Sequence, residues 1–131
     1  MKHSYLIPLF LIAAMACNDT ETYKKAENAE VAATEFVRAS LDGDYNKANF
    51  FLFADSTNKF LLERWKRTYI NLSEEEKQKY KDAGIIVLNI KTENDSVTRF
   101  RYLNTYKKDT TTIRILRING DWLVDLKELI K

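Results

Sequence analysis

The chain has 131 residues, 45% hydrophobic and 12% aromatic, with 21 basic and 19 acidic residues giving a formal net charge of +2. That near balance leaves no electrostatic footprint for nucleic acid, and three glycines and one proline exclude a low-complexity chain. A single cysteine excludes an internal disulfide, so the fold must hold by packing alone.

In chain order, Lys2 and His3 precede an apolar stretch from Tyr5 to Ala16 that only Pro8 interrupts. Twelve residues are too few to cross a bilayer as a helix, which takes about 20. A basic start, a short apolar centre and small residues at the end make a secretory signal. Its last residues, Ala14-Met15-Ala16-Cys17, resemble the lipobox of bacterial lipoproteins, with Ala14 where leucine is usual. The resemblance implies cleavage before Cys17 and a diacylglyceryl thioether on its sulfur. The plain alternative is ordinary cleavage after Ala16, which would leave a lone reactive thiol outside the cytoplasm. The expected division is a signal at 1–16, a lipidated and polar tether at 17–27, and one domain at 28–131. The expected address is the bacterial cell envelope, lipid-anchored to a membrane, facing the periplasm or the outer-membrane surface. Loss of His3 with the signal leaves the domain without histidine.

From Asn28 to Leu41, Ala29, Ala32, Ala33, Phe36, Val37 and Leu41 recur at helical spacing, and Gly43 stops the helix. Asp44 is placed to cap a second helix that turns Tyr45, Ala48, Phe51 and Leu52 inward. A third begins near Ser56 or Thr57, with Leu61, Trp65, Thr68 and Leu72 in one stripe. Ser73 and Glu76 form a capping box for a short fourth helix that includes Tyr80 and ends before Gly84.

Beyond Gly84 the chain turns to β-branched and aromatic runs at 85–92, 96–106, 111–118 and 121–127. Asn94-Asp95, Lys108-Asp109 and Asn119-Gly120 separate them, which predicts an antiparallel meander. Two-residue turns in the last two hairpins would pair Thr110 with Lys107 and Asp121 with Ile118. One face then holds Phe100, Tyr102, Tyr106, Ile113, Ile115, Trp122, Val124 and Leu126, and Arg114 faces Asp125 on the other. In the first hairpin a two-residue turn would send Ile86, Leu88 and Ile90 away from the core. An odd loop or a bulge near 93–96 is therefore expected.

The stretch Ala-Thr-Glu-Phe-Val-Arg-Ala-Ser-Leu-Asp-Gly-Asp-Tyr-Asn-Lys-Ala at 33–48, with Asn119-Gly120-Asp121-Trp122-Leu123-Val124, resembles the nuclear transport factor 2-like (cystatin-like) superfamily. Within it the likeness is to small bacterial lipoproteins of unknown function. The resemblance implies an α+β fold: N-terminal helices packed on a curved four-stranded antiparallel sheet, a cone with a pocket at its open end.

Without a histidine in the domain, and with Cys17 acylated, zinc, haem and iron–sulfur sites have no plausible ligand set, and no phosphate loop or nucleophile elbow occurs. Enzymes of this fold pair a carboxylate with a tyrosine. The predicted inner face of the last three strands offers tyrosines but no acid, so any base would come from the helices, such as Asp55 or Glu63. The candidate pocket residues are Trp65, Tyr69, Tyr102, Asn104, Tyr106 and Trp122, and the plain alternative is that the aromatics simply fill the core. The opposite face carries Arg99, Arg101, Leu103, Arg114, Leu116 and Leu123, an arginine–leucine mixture that suits an interface, including a homodimer through the sheet. Arginine stems covering exposed leucines would explain it equally. The expectation is a non-enzymatic, membrane-tethered module that binds a small apolar ligand or an envelope protein, without cofactor. The alternatives are a small isomerase or dehydratase working from the pocket, or a domain that inhibits or escorts a neighbouring protein.

Overall fold

A computed structural model describes residues 22–129, so the apolar stretch and Cys17 lie outside the described residues. Helix α1 (Ala29–Asp42) forms where the apolar spacing places it, with the Asn28 side chain accepting from Val31 N–H. Its alanines and Phe36 are buried, which lets the helix lie close against the sheet. Asp44, Asp55 and Ser73 cap α2 (Tyr45–Phe50), α3 (Ser56–Ile70) and α4 (Glu74–Asp82) in the same way. Four strands follow: β1 (Ile85–Asn94), β2 (Val97–Asn104), β3 (Thr110–Ile118) and β4 (Asp121–Asp125). They form one antiparallel sheet in the order β1-β2-β3-β4, and a 3₁₀ turn at Lys127–Leu129 ends the described chain. The molecule is therefore α+β, with helices over a four-stranded antiparallel sheet.

The last hairpin has the expected register: Ile118 faces Asp121 and Arg114 faces Asp125. The middle one does not. Thr110 lies opposite Leu103 rather than Lys107, because the chain turns early. The Asn104 side chain accepts from Lys107 N–H at 2.8 Å, and Lys108 adopts a positive φ of 58°. The slip is an even number of residues, so Phe100, Tyr102, Ile113 and Ile115 keep their common face and are all buried. Tyr106, however, leaves the sheet and sits in the turn.

The first hairpin has the expected bulge, between Thr92 and Asn94, which sets Ile90 opposite the buried Phe100. A second, unexpected bulge between Val87 and Asn89 reverses the alternation again, so Val87 faces Tyr102 while Ile86 faces Leu103. The apolar part of β1 therefore does not turn inward as a unit, and Ile86, Val87, Leu88 and Ile90 are all exposed.

Of the tether at 17–27, the described part lies against the domain. Tyr23 stacks on Phe50 with ring centroids 5.5 Å apart, Lys25 pairs with Asp121 at 3.2 Å, and Ala26 packs on the core. These residues therefore do not act as a free spacer. No helix among the described residues is long and apolar enough to cross a membrane.

Candidate functional site

The site is assembled around the junction of α1 and α2. Gly43 ends α1 at φ 77°, and the amides of Gly43 and Asp44 bond back to Ser40 and Ala39 carbonyls at 3.2 and 2.8 Å. Glycine is required here twice over. The backbone is left-handed, and a Cβ would stand 2.4 Å from the ring of Tyr69. Asp44 then starts α2 by accepting from Lys47 N–H, which brings Tyr45 against Tyr69 with ring centroids 5.9 Å apart. Helical spacing on α3 places Trp65 and Tyr69 one turn apart, and Trp65 packs on Phe36 at 5.8 Å.

Helix α4 supplies Tyr80, and Arg38 holds that helix in place. The Arg38 guanidinium donates to the carbonyls of Ala83 (2.6 Å), Lys81 (3.0 Å) and Tyr80 (3.2 Å) while pairing with Asp42 at 2.9 Å. A cation on the free carbonyls of a helix C-terminus is favourable on both hydrogen-bond and dipole grounds. One side chain of α1 thus fixes the wall that carries Tyr80.

Together these elements enclose a pocket of about 370 Å³. Its walls are Val37, Leu41 and Leu72, with Tyr45, Trp65, Tyr69, Tyr80 and Tyr102 and the hydroxyls of Ser40 and Thr68. No lining residue carries a carboxylate. Ser40 donates to the Phe36 carbonyl at 2.9 Å and Thr68 to the Arg64 carbonyl at 3.0 Å, so both have only acceptor capacity left. Tyr69 donates to the Asp42 carbonyl at a long 3.5 Å. The hydroxyls of Tyr45 and Tyr80 have no hydrogen-bond partner among the described residues, so both are free to donate. Burial raises the Tyr45 phenol, with the phenols of Tyr69 and Tyr80 adding to the effect. Burial also pushes Tyr102 up to about 12, against a hydrogen bond with Thr111 that lowers it. Tyr80 is raised chiefly by burial, partly offset by Lys107. These three phenols are neutral donors throughout the physiological range.

Three of the six pocket residues expected from sequence, Trp65, Tyr69 and Tyr102, meet here. The other three do not line it. The early turn removes Asn104, which caps that turn, and Tyr106, which packs edge-on behind Tyr80 at 5.0 Å under the ammonium groups of Lys107 and Lys79. Trp122 lies at the other end of the sheet, beneath the Arg117 guanidinium at 5.3 Å. Tyr45 and Tyr80, which the sequence reading placed in helices without assigning to the site, complete the lining. Their signal was present, since each follows a capping residue at inward helical spacing. For Arg38 there was none, because spacing along α1 does not reveal which helix end it meets.

Asp55 and Glu63, the carboxylates considered as bases, are elsewhere. Asp55 caps α3 and bonds Lys127, which holds its carboxyl below the usual range. Glu63 lies exposed beside the α2–α3 groove. On the outer sheet face, Arg99 pairs with Glu93 and Glu128, and Arg114 with Asp125 (3.0 Å) and Glu128 (3.4 Å). Leu103, Leu116 and Leu123 are half-buried, and Arg101 is exposed. Most of the charge on that face is therefore neutralised within the chain. Among the described residues no cluster of histidine, cysteine or acidic groups could hold a metal.

No protein-family model matches the chain, and no curated protein matches it. Among solved structures, an NTF-2 like protein of unknown function from Shewanella oneidensis MR-1 is similar at 14% identity, over 71% of this chain and 88% of that one, with a TM-score of 0.49.

Proposed function

We propose that this chain is a non-enzymatic binding module of the nuclear transport factor 2-like kind, which takes a small, neutral, largely apolar ligand in the tyrosine-lined pocket. The observation that carries the reading is the pocket's chemistry: aromatic and aliphatic walls, free phenol donors at Tyr45 and Tyr80, and no carboxylate in the lining. Apolar walls supply affinity, and a few placed donors fix orientation. A carbonyl or ether oxygen on the ligand would satisfy both phenols. Catalysis of proton transfer would need a base at that point, and of the acids that adjoin the lining Asp42 is paired with Arg38 and Asp44 caps α2. The lipobox-like end at Cys17 supports placing the module on a membrane of the cell envelope.

Benzophenone, a neutral aromatic ketone, is a suitable probe. In a Trp122→Phe variant, Trp65 is the remaining tryptophan, and its emission should change saturably as the ketone is added, with the ketone recovered unchanged. Replacing Tyr45 and Tyr80 by Phe should weaken binding about thirtyfold, because two donors worth roughly 1 kcal/mol each are lost. An emission that never saturates, or that ignores the double variant, would sink the proposal. Metabolic labelling with a palmitate analogue tests the anchor separately, and an unlabelled product would refute it.

A further inference from the structure

Helix α3 contributes Trp65 and Tyr69 to the pocket, but its outward side has features that the pocket does not use. Lys59, Phe60, Glu63, Arg64, Lys66, Arg67 and Ile70 are all exposed. At 100° per residue they share one continuous arc, opposite the buried Asn58, Leu61 and Leu62. Phe60 and Ile70 stand inside that arc at 57% and 56% exposure, the highest of the exposed large hydrophobics. Four cations surround them against one carboxylate.

Those cations are also uncompensated. Among the described residues Lys59, Arg64, Lys66 and Arg67 have no ion pair. Elsewhere Lys24, Lys25, Arg38, Lys47, Lys77, Lys79, Arg99 and Arg114 each have an acidic partner, and the other unpaired cations, such as Lys81, Arg101 and Lys108, do not surround two exposed large apolar side chains. A helix that leaves four charges unpaired around two protruding apolar side chains is complementary to a surface that is anionic outside and apolar just beneath. A bilayer admits protruding side chains without a preformed groove, whereas a protein partner would need one shaped to receive Phe60 and Ile70. The approach of the N-terminal segment is compatible. Tyr23 rests on Phe50 of α2, and Asn46 and Asn49 of α2 share a groove with Lys59 and Lys66 of α3.

We infer that the outward face of α3 docks onto an anionic lipid bilayer, with Phe60 and Ile70 entering the headgroup region and Lys59, Arg64, Lys66 and Arg67 meeting lipid phosphates. The inference stands apart from the pocket and does not require Cys17 to be acylated. Docking would set the domain down on its α3 side rather than leave it free to turn above the membrane.

The test uses the full chain with phosphatidylcholine vesicles, with and without phosphatidylglycerol. Co-sedimentation reads attachment by any route. Acetylation rates at individual lysines, read by mass spectrometry, report which face is covered. With phosphatidylglycerol present, Lys59 and Lys66 should be acetylated at least fivefold more slowly. Lys81 and Lys108, exposed and unpaired among the described residues, should be unchanged. High salt should restore the two α3 lysines. Arg64→Gln with Arg67→Gln, or Phe60→Ser with Ile70→Ser, should each remove most of the protection without touching the core. Equal rates with and without phosphatidylglycerol, or protection spread evenly over all four lysines, would overturn the inference. Sedimentation without selective protection would leave the anchor standing and refute the docking face.

Discussion

The two ends of the helical layer use the same residue types and finish differently. Around Phe50 and Phe51 the aromatic rings close on one another: they meet edge-on at 5.0 Å, Tyr23 covers Phe50, and Phe51 is buried, with a groove rimmed by charged side chains beside them. Around Tyr45, Trp65 and Tyr69 the rings line a cavity of about 370 Å³. The difference lies in what seals each end. Chain segment 22–27 folds over the first. The second is bounded by α4, a helix with no buried residue, attached largely through Arg38. Aromatic content alone therefore does not distinguish core from pocket; the element laid over it does.

The comparison is broken most severely by Phe51→Ala. Removing a buried ring from the closed end should cost about 3–5 kcal/mol, read by denaturant unfolding. Such a loss would make the closed end the molecule's stability reserve; a cost below about 1 kcal/mol would show it to be as loose as the pocket. Next comes Gly43→Ala at the open end. A left-handed alanine costs roughly 1–2 kcal/mol, and the methyl collides with Tyr69. Stability should fall by about 2 kcal/mol and probe binding should fall with it, whereas binding at full strength would separate Tyr69 from the site.

The smallest effect is electrostatic. Hydrogen bonding to Lys127, then to Asn58 N–H, holds Asp55 below its usual 3.8 in the folded chain. Its contribution is therefore present above that value and is lost as pH falls through the lower folded value. The same bond raises Lys127 above 10.5, so its share is present below that pH and is lost as pH climbs past it. Asp55→Asn should flatten the acid limb of stability against pH, and an unchanged limb would assign that slope to other carboxylates.

Much of the architecture was legible because local signals agreed. Asp44, Asp55 and Ser73 announce their helices, and Asn119-Gly120 sets the last register. The inner sheet face was read correctly even though the β2–β3 register was wrong, since an even slip preserves alternation. The same slip took two of the six expected pocket residues, Asn104 and Tyr106, out of the lining. It moved Tyr106 off the sheet, and nothing in Asn104-Thr105-Tyr106-Lys107 marks Asn104 as the point where the strand ends. The bulge at Leu88 was equally silent, because an apolar run looks alike in either phase.

That second bulge has a consequence for how the molecules behave at high concentration. Strand β1 forms one border of the sheet, with backbone amides open to water and an aliphatic run that would welcome another extended chain. Two interruptions within ten residues bend and twist that border. A neighbouring copy laid alongside loses step after a few hydrogen bonds, and the greasiest stretch of the domain is kept from seeding a filament.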